Sequence, residues 1–169
     1  MLKSASTGWS PPRRRMRGVA AVELALVSIP MVLLSVAAVD FARAMFTYDQ
    51  LVKSARDGAR YLSFFDPSIA AEYPTALARS RMVYGMASPP AGTPTIVPGL
   101  TTAMIAICDR TDSSSCPGET FANVPTGSGN VNLVKVTISG YQFTPIFPGG
   151  SRLTAFTFEP ISVTMRQLY

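Results

Sequence analysis

Hydrophobic and polar positions fall into three regimes along the chain. Val19–Val39 is 21 residues long, and only Glu23, Ser28, Pro30 and Ser35 interrupt its apolar run. A helix of that length rises about 32 Å, roughly the thickness of a bilayer's hydrocarbon core. From Asp40 to about Phe64 the pattern turns amphipathic. Phe41, Met45, Leu51, Val52, Ala55, Ala59 and Leu62 recur at three- and four-residue steps, with charged residues between them. One helix is therefore expected from Arg17 to about Phe64. Asp40–Arg43, Asp49–Lys53 and Asp57–Arg60 are spaced for surface ion pairs, each worth a few tenths of a kcal/mol. The small residues Ala55, Gly58 and Ala59 permit close approach of another element. An internal glycine costs about 1 kcal/mol against alanine, so packing against the globular part or against a partner is the expected reason for it.

Asp66–Pro67 ends this helix. A shorter one is expected over Ile69–Met86, with Tyr73, Leu77, Met82 and Val83 inward and Arg79 and Arg81 outward. The segment 88–99 holds four prolines and two glycines and reads as a loop. The last third changes period. Thr102–Cys108, Asn132–Ser139 and Thr154–Gln167 show β-branched enrichment and partial alternation, which marks strands. Pro160 is expected to split the last strand or to place it at an edge. The fold class is α+β: a long N-terminal helix, a short second helix and a small antiparallel sheet in the C-terminal third.

Charge adds direction to this plan. The net charge is +5, and Lys3, Arg13, Arg14, Arg15 and Arg17 supply all of it, leaving ten basic and ten acidic residues after Gly18. A chain that is formally neutral beyond its leader has no basic face for phosphate, so nucleic acid is not an expected partner. The positive-inside rule instead places the N-terminus in the cytoplasm and everything after Val39 across the membrane. Cys108 and Cys116, the two cysteines of the chain, would close a small disulfide loop in an oxidising compartment.

Candidate chemistry is sparse. The chain has no histidine, and neither cysteine has an activating partner, so no nucleophile constellation assembles. PTGSGN lacks the lysine and following helix of a phosphate loop. Two thiolates do not complete a tetrahedral metal shell, and Asp109 and Asp112 read as members of a solvated loop. No enzyme activity, cofactor, metal or small-molecule substrate is expected. Glu23 is the informative residue. An ionised carboxylate at the centre of a transmembrane helix costs on the order of 2.5–3.5 kcal/mol. It either tolerates a place in the headgroup zone or has a partner. Pro30, about three turns beyond Val19, either kinks the helix or lets it bend into a packed bundle.

A basic leader, a glycine, four apolar residues, a glutamate and a long apolar helix resemble a class III signal peptide, the substrate of prepilin peptidases. GVAAVELALVSIPMVLL, DFARAMF and SARDGARYLS resemble the TadE-like pseudopilins of tight adherence (Tad, or Flp) pilus systems. The matching positions are Gly18, Ala21, Val22, Glu23, Ala25, Leu26, Pro30, Asp40, Phe41, Ala55, Gly58, Ala59 and Arg60. Leu24 stands where an aromatic is usual, and Asp40 where glutamate is commoner. Val163–Arg166 is similar to the family's common ending. The resemblance implies a pilin-like arrangement, cleavage between Gly18 and Val19, and a role for Glu23 in assembly. It also implies a packing motif made by Asp40, Phe41, Ala55, Gly58, Ala59 and Arg60. After cleavage, Glu23 would be the fifth residue and could pair with the Val19 amine of a neighbouring subunit. The implied organisation is a leader over 1–18, a transmembrane helix over 19–39, its periplasmic continuation over 40–64, and a small periplasmic domain over 65–169. Its implied partners are the inner membrane, the prepilin peptidase, and other pilins or components of the Tad machine.

Two other plans fit parts of the pattern. An uncleaved single-pass protein would keep the arginine cluster and present a periplasmic interaction domain. An exported soluble protein would be cut after Ser35–Val36–Ala37, a small-x-small site, although the apolar run is long for that purpose.

Overall fold

The computed structural model describes residues 16–146 and 155–168, with side chains from Gly18 onward. The arginines up to Arg15 and the expected strand start at Thr154 lie outside the described residues. The chain divides into two compact units, Met1–Val39 and Asp40–Tyr169. Helix α1 covers Met16–Leu62 and runs through Pro30 without a break.

In the second unit, α1 contributes Leu51, Ala55, Ala59 and Leu62, all with no exposed surface. Their spacing of four, four and three residues keeps them on one face. Helix α2 spans Thr75–Tyr84, well inside the expected Ile69–Met86. Pro74 sets its start: a proline has no N–H to donate and disfavours helical backbone at the residue before it. Its carbonyl accepts the first bond of α2, from the Ala78 amide at 2.9 Å. Gly85 closes α2 in the left-handed region (φ 78°), its amide donating to the Arg81 carbonyl at 2.8 Å. Ala78, Met82 and Val83 face the core, whereas Leu77, expected inward, is exposed.

A 3-10 turn over Thr102–Met104 replaces the first half of one expected strand. Among the described residues seven strands follow in order: β1 (Ile105–Cys108), β2 (Val124–Pro125), β3 (Asn130–Val131), β4 (Leu133–Ile138), β5 (Gln142–Phe143), β6 (Phe156–Thr157) and β7 (Ile161–Arg166). β4 is the centre of an antiparallel sheet ordered β1-β4-β7. Its alternation explains that place: Val134, Val136 and Ile138 are buried, and the residues between them are half-buried. Ile138 pairs with Ile105 on one side and with Ile161 on the other. Pro160 separates β6 from β7, and β7 lies at the sheet's edge, so both expectations for that proline hold. β2–β3 and β5–β6 are two-residue ladders. The core joins α1, α2 and the inner face of the sheet, while Cys108, Cys116 and Phe121 form a second cluster with Leu133.

Candidate functional site: the Gly18–Arg60 helix and the disulfide loop

Within the first unit the apolar stretch of α1 is exposed along nearly its whole length. Its two serines satisfy themselves on the helix backbone. Ser28 Oγ donates to the Ala25 carbonyl at 2.9 Å and Ser35 Oγ to the Met31 carbonyl at 2.8 Å. Glu23 is then the one carboxylate of the stretch, exposed among Val22, Leu24, Leu26 and Val27. Gly18 and Val19 lie in the first turns of α1, and a Cβ added at Gly18 would meet nothing within 4 Å.

Gly58 is the opposite case. A Cβ there would lie 2.3 Å from Met82 Sδ and 2.6 Å from Met82 Cγ. The seam of Ala55, Gly58 and Ala59 therefore receives α2 of the same chain. One turn earlier, the buried Ser54 hydroxyl donates to the Met82 carbonyl at 2.7 Å. Such a bond contributes about 1 kcal/mol net, and more would be lost if one partner were left buried and unmet. Asp57 pairs with Arg81 of α2 at 3.4 Å in place of the expected Arg60, which stays exposed. Asp40–Arg43 and Asp49–Lys53 form along the helix as their spacing predicts, at 3.0 and 2.6 Å. Asp40 Oδ1 also accepts the Ile146 amide at 3.0 Å. Phe41 is exposed.

Cys108 and Cys116 are joined by a disulfide, with their Cα atoms 6.3 Å apart. Inside the loop, Asp109 Oδ1 accepts from the Thr111 and Asp112 amides at 2.7 and 3.0 Å, and from the Thr111 hydroxyl at 2.5 Å. Asp112 Oδ1 accepts from the Ser114 amide and hydroxyl at 3.0 and 2.6 Å. These Ser114 bonds, with Arg79 nearby, hold the Asp112 carboxyl below the usual carboxylate range. Both acids are thus engaged in shaping their own loop. No group of three or more histidine, cysteine, aspartate or glutamate side chains able to hold a metal occurs among the described residues.

Sequence reasoning missed a cleft of about 370 Å³ beside this loop, lined by Tyr73, Arg79, Ile107, Asp109 and Thr111 among others. It gathers residues from two distant stretches, 67–79 and 107–112, so no local pattern could have announced it. The Tyr73 hydroxyl is buried there without a well-formed hydrogen bond, although the Asp109 carboxylate is close. Burial first, and that carboxylate second, push the phenol well above its ordinary value. The sign follows. Above about pH 10 the unfolded chain loses this proton while the folded chain keeps it, so stability declines as pH rises. Burial also raises Tyr141, so it adds to the same slope. Tyr73→Phe is expected to flatten the decline, read by denaturant titrations between about pH 8 and 11. An unaltered slope would exclude Tyr73 as its source.

α1 is long and apolar enough, over an N-terminal window, to cross a membrane. No curated protein and no solved structure matches the chain. The family model described as TadE-like protein matches residues 18–60. The stretch that begins at Gly18, carries Glu23 and ends with the small-residue seam is accordingly the part of the chain that is similar to TadE-like proteins.

Proposed function

We propose that this chain is a minor pseudopilin of a tight adherence pilus machine, and that its work is assembly and surface adhesion rather than catalysis. The observation that carries this reading is the TadE-like match over residues 18–60, which begins at the proposed cleavage glycine. Gly18 supports it in a second way. Among the described residues nothing lies within 4 Å of a side chain placed there, so packing against them does not call for glycine, whereas recognition by a prepilin peptidase would. On this reading the basic leader stays in the cytoplasm, Val19–Val39 crosses the inner membrane, and the second unit lies in the periplasm. The Cys108–Cys116 disulfide suits that oxidising side. Glu23, the one charge in the apolar stretch, offsets the new Val19 amine of a neighbouring subunit.

The test is the N-terminal residue of the protein recovered from host membranes, for the native chain and for Glu23→Ala. Val19 is expected in both, with Glu23→Ala losing co-isolation with other pilins. Met1 would leave an uncleaved anchor and remove the amine that Glu23 needs. Val19 with undiminished co-isolation would keep the processing step and overturn the pairing.

A further inference from the structure

The apolar surface of α1 does not stop where its uninterrupted run stops. Phe41 and Phe46 are 69% and 65% exposed, and Met45 and Tyr48 are exposed beside them. From Asp49 onward the exposed positions of the helix are mainly charged: Asp49, Lys53, Arg56, Asp57 and Arg60. Val19–Tyr48 is 30 residues. A helix of that length rises about 45 Å, which matches a bilayer with its two headgroup layers rather than its hydrocarbon core alone.

Charge within this extension is contained. Asp40 and Arg43 are its charged residues, and they pair with each other. A second element adds apolar surface at the same level. The Ile146 amide is bonded to Asp40, the Arg43 guanidinium lies 5.5 Å from the Phe143 ring centroid, and the Phe143 ring sits 5.4 Å from that of Phe156. Ile146 and Phe156 are both exposed.

The distribution identifies the occupant. At 3.6 residues per turn, Tyr48, Phe41 and Met45 lie within about 60° of one another and Phe46 about 140° from Phe41, so the exposed side chains spread over an arc of about 160° rather than along one narrow stripe. A partner helix would cover one stripe. A band shared by a helix and a neighbouring hairpin, rich in phenylalanine and flanked by charge, suits the boundary between acyl chains and headgroups. We infer that this end of the second unit rests in the interfacial layer of the bilayer, through Phe41, Met45, Phe46, Ile146 and Phe156. This rests on the reading that α1 crosses a membrane.

The test uses the full chain in phosphatidylcholine vesicles, with Trp9→Phe and a single tryptophan placed by Leu33→Trp, Phe46→Trp, Phe156→Trp or Phe64→Trp. Lipids brominated near the headgroup should quench Phe46→Trp and Phe156→Trp, lipids brominated deep in the chains should quench Leu33→Trp, and Phe64→Trp should lose no emission. Quenching of Leu33→Trp alone would overturn the inference and leave the membrane span standing. Quenching of Phe46→Trp without Phe156→Trp would also overturn it, in favour of a helix that merely emerges from lipid. Unquenched, blue-shifted emission from both would assign the face to a second copy of this chain and overturn the inference. No quenching of Leu33→Trp would remove the span itself and the inference with it.

Discussion

Gly58→Ala is expected to destabilise the native chain and to stabilise a chain that already carries Met82→Ala. The new Cβ would lie 2.3 Å from the Met82 sulfur, and Met82 has no exposed surface into which to move. Overpacking of this kind costs about 1–3 kcal/mol. Alanine's helix propensity returns about 1 kcal/mol of that, so a net loss of up to about 2 kcal/mol is expected. Met82→Ala alone opens a cavity worth about 2–5 kcal/mol. In that background the collision is gone and only the propensity remains, giving a gain near 1 kcal/mol. Denaturant titration of the four chains in detergent reads the cycle. The same sign in both backgrounds would mean that Gly58 is not held by contact with α2.

Reduction of the Cys108–Cys116 disulfide is expected to cost about 2.5 kcal/mol, the chain-entropy value for a loop of about nine residues. The loop's own hydrogen bonds bear on that figure. Asp109 and Asp112 bind neighbouring amides and hydroxyls, and such local turns persist to some extent in the unfolded chain. They narrow what the cross-link has left to restrict, so the measured cost should lie at or below the ideal value. Comparing midpoints with and without a thiol reductant isolates this from the packing of Cys108 against Phe121 and Leu133, which a Cys108→Ala/Cys116→Ala chain would also disturb. Identical midpoints would show that the bridge only marks the compartment and does not hold the fold.

The long helix was legible in the sequence because its signal is local and repeated. β4 and β7 were legible for the same reason, with LVKVTI and ISVTMR alternating along each strand. What escaped depends on residues far apart in sequence. Asp57 could be matched to Arg60 by spacing, but α2 brings Arg81 to it instead. The small-residue seam left open a partner inside or outside the chain, and Met82 is inside. Leu77 is inward in a helix over Ile69–Met86; with α2 starting at Thr75, Ala78, Met82 and Val83 become the inner face. Of the candidate site, Glu23 was legible by its oddness alone. The interfacial band was not, because Ile146 and Phe156 reach it only through the tertiary fold.

The Leu168 amide donates to the Ser63 carbonyl at 3.1 Å, and the Gln167 amide to the Asn132 carbonyl at 2.8 Å. The stretch after β7 thus ties the sheet to the end of α1, across 105 positions of sequence. At about 5–20 residues per second, the ribosome needs roughly 5–20 s to supply that stretch after Ser63 is made. Met82 reaches Gly58 early in the interval, but β4 lacks its β7 partner until nearly the end. The nascent chain therefore has an early helical pair and an unfinished sheet edge. Its most vulnerable moment comes before β7 is supplied, when β4 is open to the wrong strand.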